Sequence, residues 1–168
     1  MKPYIQKISE NVSLEVLMPL IKERLDAGQC VRIHPYGTSM LPMLRQGKDS
    51  VVLSSIDGEP ERYDVVLYQR KNGQYVLHRL IDVCNGYVFL GDNQFEREYG
   101  IGRAQMIARV TSFYRGDRQV SANALPYKLY CVFWCSSRGL RRLVRRGSAF
   151  CKRQIRRLFR QGAPNTKK

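Results

Sequence analysis

Two Asn-Gly pairs divide the middle of this 168-residue chain into short segments rich in β-branched and aromatic residues. Asn-Gly is a preferred two-residue loop of β-hairpins, because both loop positions need a positive φ. The pairs at Asn72-Gly73 and Asn85-Gly86 predict an antiparallel meander with strands at roughly 64–71, 74–84 and 87–92. Similar short runs before and after the meander predict that the body is mainly β.

The two loops also predict which residues face each other across the strands. Counting back from the first loop pairs Leu67 with His78. Counting on from the second loop pairs Arg79 with Asp92. It also pairs His78 with Asn93, provided that neither strand carries a bulge. The hairpins are therefore expected to bring the Gly-Asp-Asn segment beside the His-Arg pair.

The N-terminal segment is predicted to form a short amphipathic helix. Ser13 can cap its first turn, and Gly28 suits the left-handed position just past its end. Pro19 predicts a kink or a later start. The apolar positions recur at helical spacing and form one stripe, Leu14, Leu17, Met18, Ile21 and Leu25.

The positive charge of the chain is concentrated at its C-terminal end. The net charge is +15, yet all 14 acidic residues precede Pro126, and 13 Lys and Arg residues follow it. We divide the chain into an N-terminal helix at 1–28, a β domain at 29–122 and a basic tail at 123–168. Because the body is close to neutral, the tail is the part expected to attract an acidic partner.

The tail is predicted to contain a basic amphipathic helix with Arg on most of one face from Arg138 to Arg160. Such a helix favours an anionic membrane surface, with Tyr130, Phe133 and Trp134 as an interfacial belt. Packing of its apolar stripe on the β body is the alternative. Nucleic acid ranks last, because the body carries no known nucleic-acid motif. The stripe consists of Leu140, Leu143, Val144, Cys151, Ile155 and Leu158.

The composition argues against several classes of site and segment. Five cysteines, an odd number without paired spacing, predict reduced thiols. Two histidines and one isolated Cys-x3-Cys predict no metal site, and we expect no cofactor. The chain has neither an apolar run of ~20 residues nor the apolar region of a signal peptide. We therefore expect a cytoplasmic or peripherally membrane-associated protein.

The segment HPYGTSMLPML, residues 34–44, contains a candidate nucleophile. Ser39 follows an apolar run, and Pro42 suits the first turn of a helix. A strand–turn–helix entry is therefore expected at Ser39. Taken alone, the serine is better explained as a helix cap than as a nucleophile.

A serine nucleophile needs a base and a group that orients the base. His78 lies on a predicted strand among apolar neighbours, where burial would keep the imidazole neutral, as a general base must be. The following segment, GDNQFERE, supplies three carboxylates that could bind the second ring nitrogen, from Asp92, Glu96 and Glu98.

Taken together, these segments resemble the signal-peptidase-like serine peptidases, the superfamily that also contains the self-cleaving SOS repressors. Four boxes occur in the family's order: GTSMLPML at 37–44, YDVVLYQ at 63–69, VLHRLI at 76–81 and FLGDN at 89–93. The resemblance covers roughly residues 30–115. It implies a mainly β fold of coiled antiparallel sheets with a shallow substrate groove, to which the two terminal helices are added.

The resemblance also implies roles for individual residues. The family has a lysine-base and a histidine-base version, and this chain resembles the second, because His78 stands directly before Arg79. Ser39 would then be the nucleophile and His78 the general base. Either Asp92, within the Gly-Asp-Asn box, or Glu98, at the family's spacing beyond it, would orient His78. The oxyanion and substrate surroundings would include Gly37, Thr38, Met40 and Arg79.

The chain departs from the family pattern at several places. Gly37 and Thr38 stand where the family has Ser-Gly, so a hydroxyl that helps to bind the oxyanion is missing. Tyr63 replaces the Gly of Gly-Asp, which a strand should tolerate, and Glu98 replaces a shorter Asp. The N-terminal membrane anchor that usually precedes the serine in signal peptidases is not expected here.

The expected function is that of a serine endopeptidase that cleaves an extended leader or signal peptide from a peptide or protein precursor. The alternative is a non-catalytic module that keeps the peptidase fold and binds a peptide or a membrane. The third hypothesis is a nucleic-acid-binding protein that resembles the SOS repressors. The N-terminal helix of about 15 residues is too short for the helix-turn-helix that a repressor would need.

Overall fold

The computed structural model describes residues 5–7, 14–139 and 141–142 of the chain. Contacts divide the chain into two units, 1–135 and 136–168. The sequence suggested a boundary after residue 122, whereas the first unit extends to Cys135. Most of the predicted basic helix, including Leu143, Val144, Cys151, Ile155 and Leu158, lies outside the described residues.

The first unit is built on one sheet. Its described strands are β1 (Ile5–Lys7), β2 (Cys30–Ile33), β3 (Asp49–Ser54), β4 (Val65–Gln69), β5 (Tyr75–Asp82), β6 (Val88–Leu90), β7 (Met106–Arg115) and β8 (Arg118–Ser121). Their order in the sheet is β1-β2-β3-β7-β4-β5-β6, with β8 paired to β7. β1 runs parallel to β2, and the other pairs are antiparallel. Among the described strands the path ends at β1 and β6 and does not close into a barrel.

The prediction of a mainly β, largely antiparallel body is confirmed. β7 is the longest strand; it pairs with β3 along one edge and with β4 and β8 along the other. Its registers with β3 and β4 shift by one residue, at Val52/Leu53 and at Leu67/Tyr68. Irregularities of this kind bend a strand and increase its twist.

Two helices accompany the sheet. α1 spans Leu14–Asp26 and keeps Pro19 within it, so the predicted later start is wrong, while Ser13 lies outside the described residues. Gly28 ends α1 with φ +71, and the N–H of Gln29 donates to the Arg24 carbonyl, as in a Schellman motif. α2 spans Leu125–Ser136. Neither helix, nor any other helical stretch of the described residues, has the length and apolarity needed to cross a membrane.

The first predicted hairpin forms, but with a different register. The N–H of Arg70 donates to the Gln74 carbonyl, so three residues rather than two form the loop. His78 therefore pairs with Val66 and not with Leu67. Gly73 has φ +86, whereas Asn72 is not left-handed, which is the pattern of a type I turn closed by a glycine bulge.

The second predicted hairpin also forms with a shifted register. Arg79 pairs with Leu90 instead of Asp92, and the register shifts between Leu80 and Asp82. The predicted pairing assumed strands without a bulge, but β5 carries one, so His78 has no strand pairing with Asn93. β6 then ends, and the chain turns through the Gly-Asp-Asn segment.

Two cores cover the two faces of the sheet near β5. The larger core joins α1, β2, β3, β4, β7 and α2, and its central side chains are Met18, Ile21, Val31, Leu53, Leu67, Phe113 and Cys131. The second core contains Val66, Tyr68, Leu80, Phe89, Ile101 and Met106. Because successive residues of a strand point to opposite faces, Arg79 faces the first core and His78 the second.

Candidate active site

Ser39 lies in a tight series of turns at residues 37–44. The expected helix entry is wrong, since the turns are followed by β3 rather than by a helix. Within the turns, the N–H of Leu41 donates to the Thr38 carbonyl at 3.2 Å. The apolar side chains that follow the serine anchor the loop in the larger core, and these are Met40, Met43 and Leu44. Ser39 itself is half-buried.

The Gly-Asp-Asn segment holds the Ser39 loop in place. The backbone N–H of Asn93 donates to the Ser39 carbonyl at 2.8 Å, and its side-chain amide donates to the Thr38 carbonyl at 3.1 Å. A Cβ on Gly91 would lie 2.8 Å from the Ser39 carbonyl oxygen. Glycine is therefore required at this position by the close approach of two backbones.

Asp92 is the partner of Arg79. The guanidinium donates to both carboxylate oxygens, at 2.8 and 2.7 Å, and both side chains are buried. The predicted nearness of Asp92 to the His-Arg pair is therefore correct, although it arises from a turn after β6 and not from the predicted strand pairing. Since its two oxygens bind Arg79, Asp92 is not the carboxylate that binds the ring of His78.

Other N–H groups of Arg79 connect β5 to α2 and to the turn before β4. They donate to the hydroxyl of Tyr127 at 2.9 Å and to the carbonyl of Tyr63 at 3.0 Å. Tyr63 has φ +80, the single non-glycine residue in the left-handed region among those described. The expectation that Tyr63 lies in a strand is wrong. Its conformation is one that glycine adopts without strain.

Glu98 is the carboxylate that binds His78. Nδ1 of His78 lies 3.0 Å from Oε1 of Glu98. Glu98 is brought there by two backbone hydrogen bonds with Phe89, at 2.9 and 2.8 Å. Of the two orienting residues suggested by the sequence, Glu98 contacts the ring and Asp92 does not. Glu96 is exposed and takes no part in the contact.

Tyr68 and Arg70 complete the surroundings of Glu98. The Tyr68 hydroxyl donates to Oε2 of Glu98 at 2.9 Å and lies 3.2 Å from Nδ1 of His78. Nε of Arg70 donates to the same Oε2 at 2.9 Å, and its Nη2 binds Oε1. Because the Tyr68 hydroxyl directs its proton at Glu98, both the hydroxyl oxygen and the Glu98 carboxylate can accept from Nδ1. This arrangement favours the Nδ1–H tautomer, which leaves Nε2 of His78 as the acceptor.

The electrostatics of this network favour a neutral histidine. Burial lowers the pKa of His78 below its ordinary value, and the Glu98 carboxylate opposes this only in part. Burial alone would raise the pKa of Glu98, but hydrogen bonds from Arg70 and Tyr68 outweigh it and hold the pKa below the ordinary value. Glu98 is therefore ionised and His78 neutral at neutral pH.

Ser39 and His78 line the same pocket, which has a volume of about 210 Å³. The pocket is also lined by residues 35–37 and by residues 74–78, which belong to β5 and the turn before it. β5 pairs with β6 only from Arg79 onward. Within the described strands, the edge of β5 that faces away from β4 thus has no strand partner before Arg79.

Groups that could stabilise an oxyanion near Ser39 are limited. The backbone N–H of Ser39 donates to no backbone acceptor among the described residues. Gly37 has φ +98, which disfavours a side chain, and its N–H donates to the Gln46 amide oxygen at 3.0 Å. The Thr38 side chain is exposed, and Met40 points into the core. Gln94 is a further polar side chain that lines the pocket.

No metal site accompanies this arrangement among the described residues, where no three His, Cys, Asp or Glu side chains are grouped suitably. Cys30, Cys84 and Cys131 form no disulfide among the described residues, and Cys151 lies outside them.

The sequence reasoning missed Tyr68 and Arg70. A three-residue loop after Arg70 would have paired Val66 with His78 and put Tyr68 on the same face as the histidine. The sequence did not decide between a two-residue and a three-residue loop, since Lys71-Asn72-Gly73 is compatible with both lengths.

The chain matches no known family model, and comparisons with curated proteins and with solved structures give no match either. Arguments about its function therefore depend on its own residues and their geometry.

Proposed function

We propose that this protein is a serine endopeptidase of the signal-peptidase-like kind, which cleaves an extended leader or signal peptide. The observation that carries the proposal is the shared pocket of Ser39 and His78, in which the second nitrogen of His78 is bound by Glu98. A nucleophile, a buried neutral base and an ionised orienting group are the three parts that such chemistry needs.

In the proposed reaction, Oγ of Ser39 attacks the scissile carbonyl while Nε2 of His78 accepts the hydroxyl proton. The protonated imidazole then donates that proton to the leaving amine, and an acyl ester on Ser39 remains. Water, activated by the same nitrogen, hydrolyses the ester and regenerates the serine. The backbone N–H of Ser39 would donate to the oxyanion in both halves of the reaction.

The substrate would bind as an additional strand. An extended peptide between residues 35–37 and 74–78 could hydrogen-bond to the edge of β5 that lacks a strand partner before Arg79. Such binding selects backbone conformation more than sequence, which suits a peptidase that acts on unfolded leader segments. The small pocket of about 210 Å³ favours small side chains next to the scissile bond.

Two assays test the proposal. The first measures hydrolysis of fluorogenic leader-like peptides with small residues beside the scissile bond, and the second measures labelling by a fluorophosphonate. Ser39→Ala should abolish labelling and lower kcat/KM by roughly a thousandfold or more. His78→Gln should have a similar effect, whereas Ser136→Ala, at an exposed position of α2, should match the wild type. Retention of both labelling and hydrolysis by Ser39→Ala would disprove the mechanism.

A non-catalytic binding module is the second candidate function. Gly37 favours it, because glycine supplies no hydroxyl at the position where signal-peptidase-like enzymes have one that assists the oxyanion. On this alternative the pocket would bind an extended peptide without cleaving it. The wild type would then bind peptide, as measured by fluorescence anisotropy, and Ser39→Ala would bind equally well, while neither would react with the fluorophosphonate.

A further inference from the structure

α2 presents two faces of opposite character. Its inner face packs on the β body, where Tyr127 and Cys131 are buried. The indole N–H of Trp134 donates to the Asp92 carbonyl at 3.0 Å, and the rings of Tyr130 and Trp134 stack on each other. Trp134 and Tyr130 are therefore directed inward, and the interfacial belt predicted to include them is wrong in these two members.

The outer face of α2 is apolar and exposed. We call it the α2 outer face, and its members are Leu125 (69% exposed), Leu129 (62%), Val132 (48%) and Phe133 (70%). They follow one another at helical spacing and so share one side of the helix. They are also four of the eight large hydrophobic side chains that are exposed among the described residues. Single exposed apolar side chains are common on protein surfaces, whereas a contiguous cluster of them marks an interaction surface.

The charge of the same part of the chain indicates what covers this face. No acidic residue follows Asp117 in the sequence. Lys128 lies on α2 itself, and twelve more Lys and Arg residues follow between Arg138 and Lys168. An apolar helix face on a segment that carries only positive charge is the pattern of a helix that lies in the interface of an anionic bilayer.

We propose that the α2 outer face docks into the interfacial region of an anionic lipid bilayer. Leu125, Leu129, Val132 and Phe133 enter the acyl boundary, and Lys128 and the basic residues after α2 neutralise lipid headgroups. The inner face stays on the body through Tyr127 and Trp134. The β unit is thereby held at the membrane surface. This proposal does not depend on peptidase activity.

The two features together favour lipid over the other occupants. A second copy of the chain would bring two exclusively basic segments together, which like-charge repulsion opposes. Nucleic acid would use the positive charge but has no use for four exposed aliphatic and aromatic side chains on one helix face. An anionic bilayer uses both.

Vesicle flotation of the full chain tests the proposal. The two vesicle types are pure phosphatidylcholine and an equimolar mixture of phosphatidylcholine and phosphatidylglycerol. The wild type should float with the mixed vesicles and stay behind with the neutral ones. Leu129→Ser/Phe133→Ser should weaken partitioning at least about tenfold. The matched control is Val16→Ser/Val83→Ser, which removes exposed apolar side chains elsewhere and should bind as the wild type.

Every other result overturns the proposal. Equal flotation of the Leu129/Phe133 variant and the wild type would show that the α2 outer face does not contact lipid. If the wild type floated with neither vesicle type, the protein would not bind lipid. If it floated equally with both, the anionic charge of the lipid would not contribute to binding. Concentration-dependent dimerisation in light scattering, lost in the same double variant and without flotation, would assign the face to a second copy. Retention of duplex DNA without flotation would assign the charge to nucleic acid. Thermal unfolding of both double variants checks that each is folded.

Discussion

Nδ1 of His78 lies 3.0 Å from Oε1 of Glu98, although the two residues belong to segments separated by β6 and the turn after it. The contact exists because Glu98 pairs with Phe89 on β6, next to β5. The other carboxylate of this region, Asp92, binds Arg79 on the opposite face of β5. Adjacent residues of one strand are therefore held by two different carboxylates, one at the pocket and one in the core.

Glu98 and Arg70 should shift the pH dependence of activity in opposite directions. On the proposed mechanism, kcat/KM falls as His78 becomes protonated, so its acidic limb reports the pKa of His78. The negative charge of Glu98 raises that pKa and the positive charge of Arg70 lowers it. Glu98→Gln should therefore move the limb to lower pH, and Arg70→Gln should move it to higher pH. Rate profiles with the fluorogenic peptide measure both shifts.

The size of the effects separates orientation from charge. Glu98→Gln should also lower the plateau rate by roughly a hundredfold or more, because an amide no longer fixes the Nδ1–H tautomer. Arg118→Gln, at an exposed position of β8, removes the same charge as Arg70→Gln at a distance and should leave the limb unchanged. Movement of both limbs in the same direction would contradict the assignment of Glu98 and Arg70 to opposite effects on His78.

Gly91→Ala should displace the Ser39 loop. The new Cβ would lie 2.8 Å from the Ser39 carbonyl oxygen, which is closer than real contacts allow, so the backbone of the loop must move. Shifts of about 1 Å at a reacting group can cost on the order of a hundredfold in rate. We expect that loss in fluorophosphonate labelling, together with a destabilisation of about 1–3 kcal/mol in urea unfolding.

Gly102→Ala is the control for this substitution. A Cβ at Gly102 would have its nearest neighbour at 3.8 Å, an ordinary contact, and the backbone there is extended. Labelling by Gly102→Ala should match that of the wild type. If Gly91→Ala also labelled at the wild-type rate, the contact between Gly91 and Ser39 would not be what fixes the nucleophile.

The sequence predicted the type of fold better than the registers that assemble the site. Hydrophobic alternation and two Asn-Gly pairs correctly indicated an antiparallel meander, because these are local properties of the chain. The positions of Arg70 and Tyr68 depend on one extra residue in the first loop. The position of Asp92 depends on a bulge in β5. Loop length and bulges are decided by packing of the whole sheet, so a one-residue error was not detectable from local patterns.

Longer-range contacts were the least predictable part. α2, which lies within the segment predicted as a basic tail, contributes the Tyr127 hydroxyl that binds Arg79 in the larger core. Charge composition indicated only that the segment is basic, and it contained no information about which helix face meets the body. Asn93 was recognised as part of a motif, but its hydrogen bonds to the loop of Thr38 and Ser39 required the three-dimensional structure.

Asp92→Asn should destabilise the protein strongly. Both side chains of the Arg79–Asp92 pair are buried, and the neutral amide would leave the guanidinium charge uncompensated in the core. Breaking a buried pair in this way costs about 3–5 kcal/mol, so the midpoint of thermal unfolding should fall by about 10 °C or more. Asp117→Asn removes a carboxylate from an exposed turn and should unfold at the same temperature as the wild type. If both variants unfolded at the same temperature, the charge of Arg79 would be compensated by solvent or by another group. The Arg79–Asp92 pair would then not be what joins the Ser39 loop to β5.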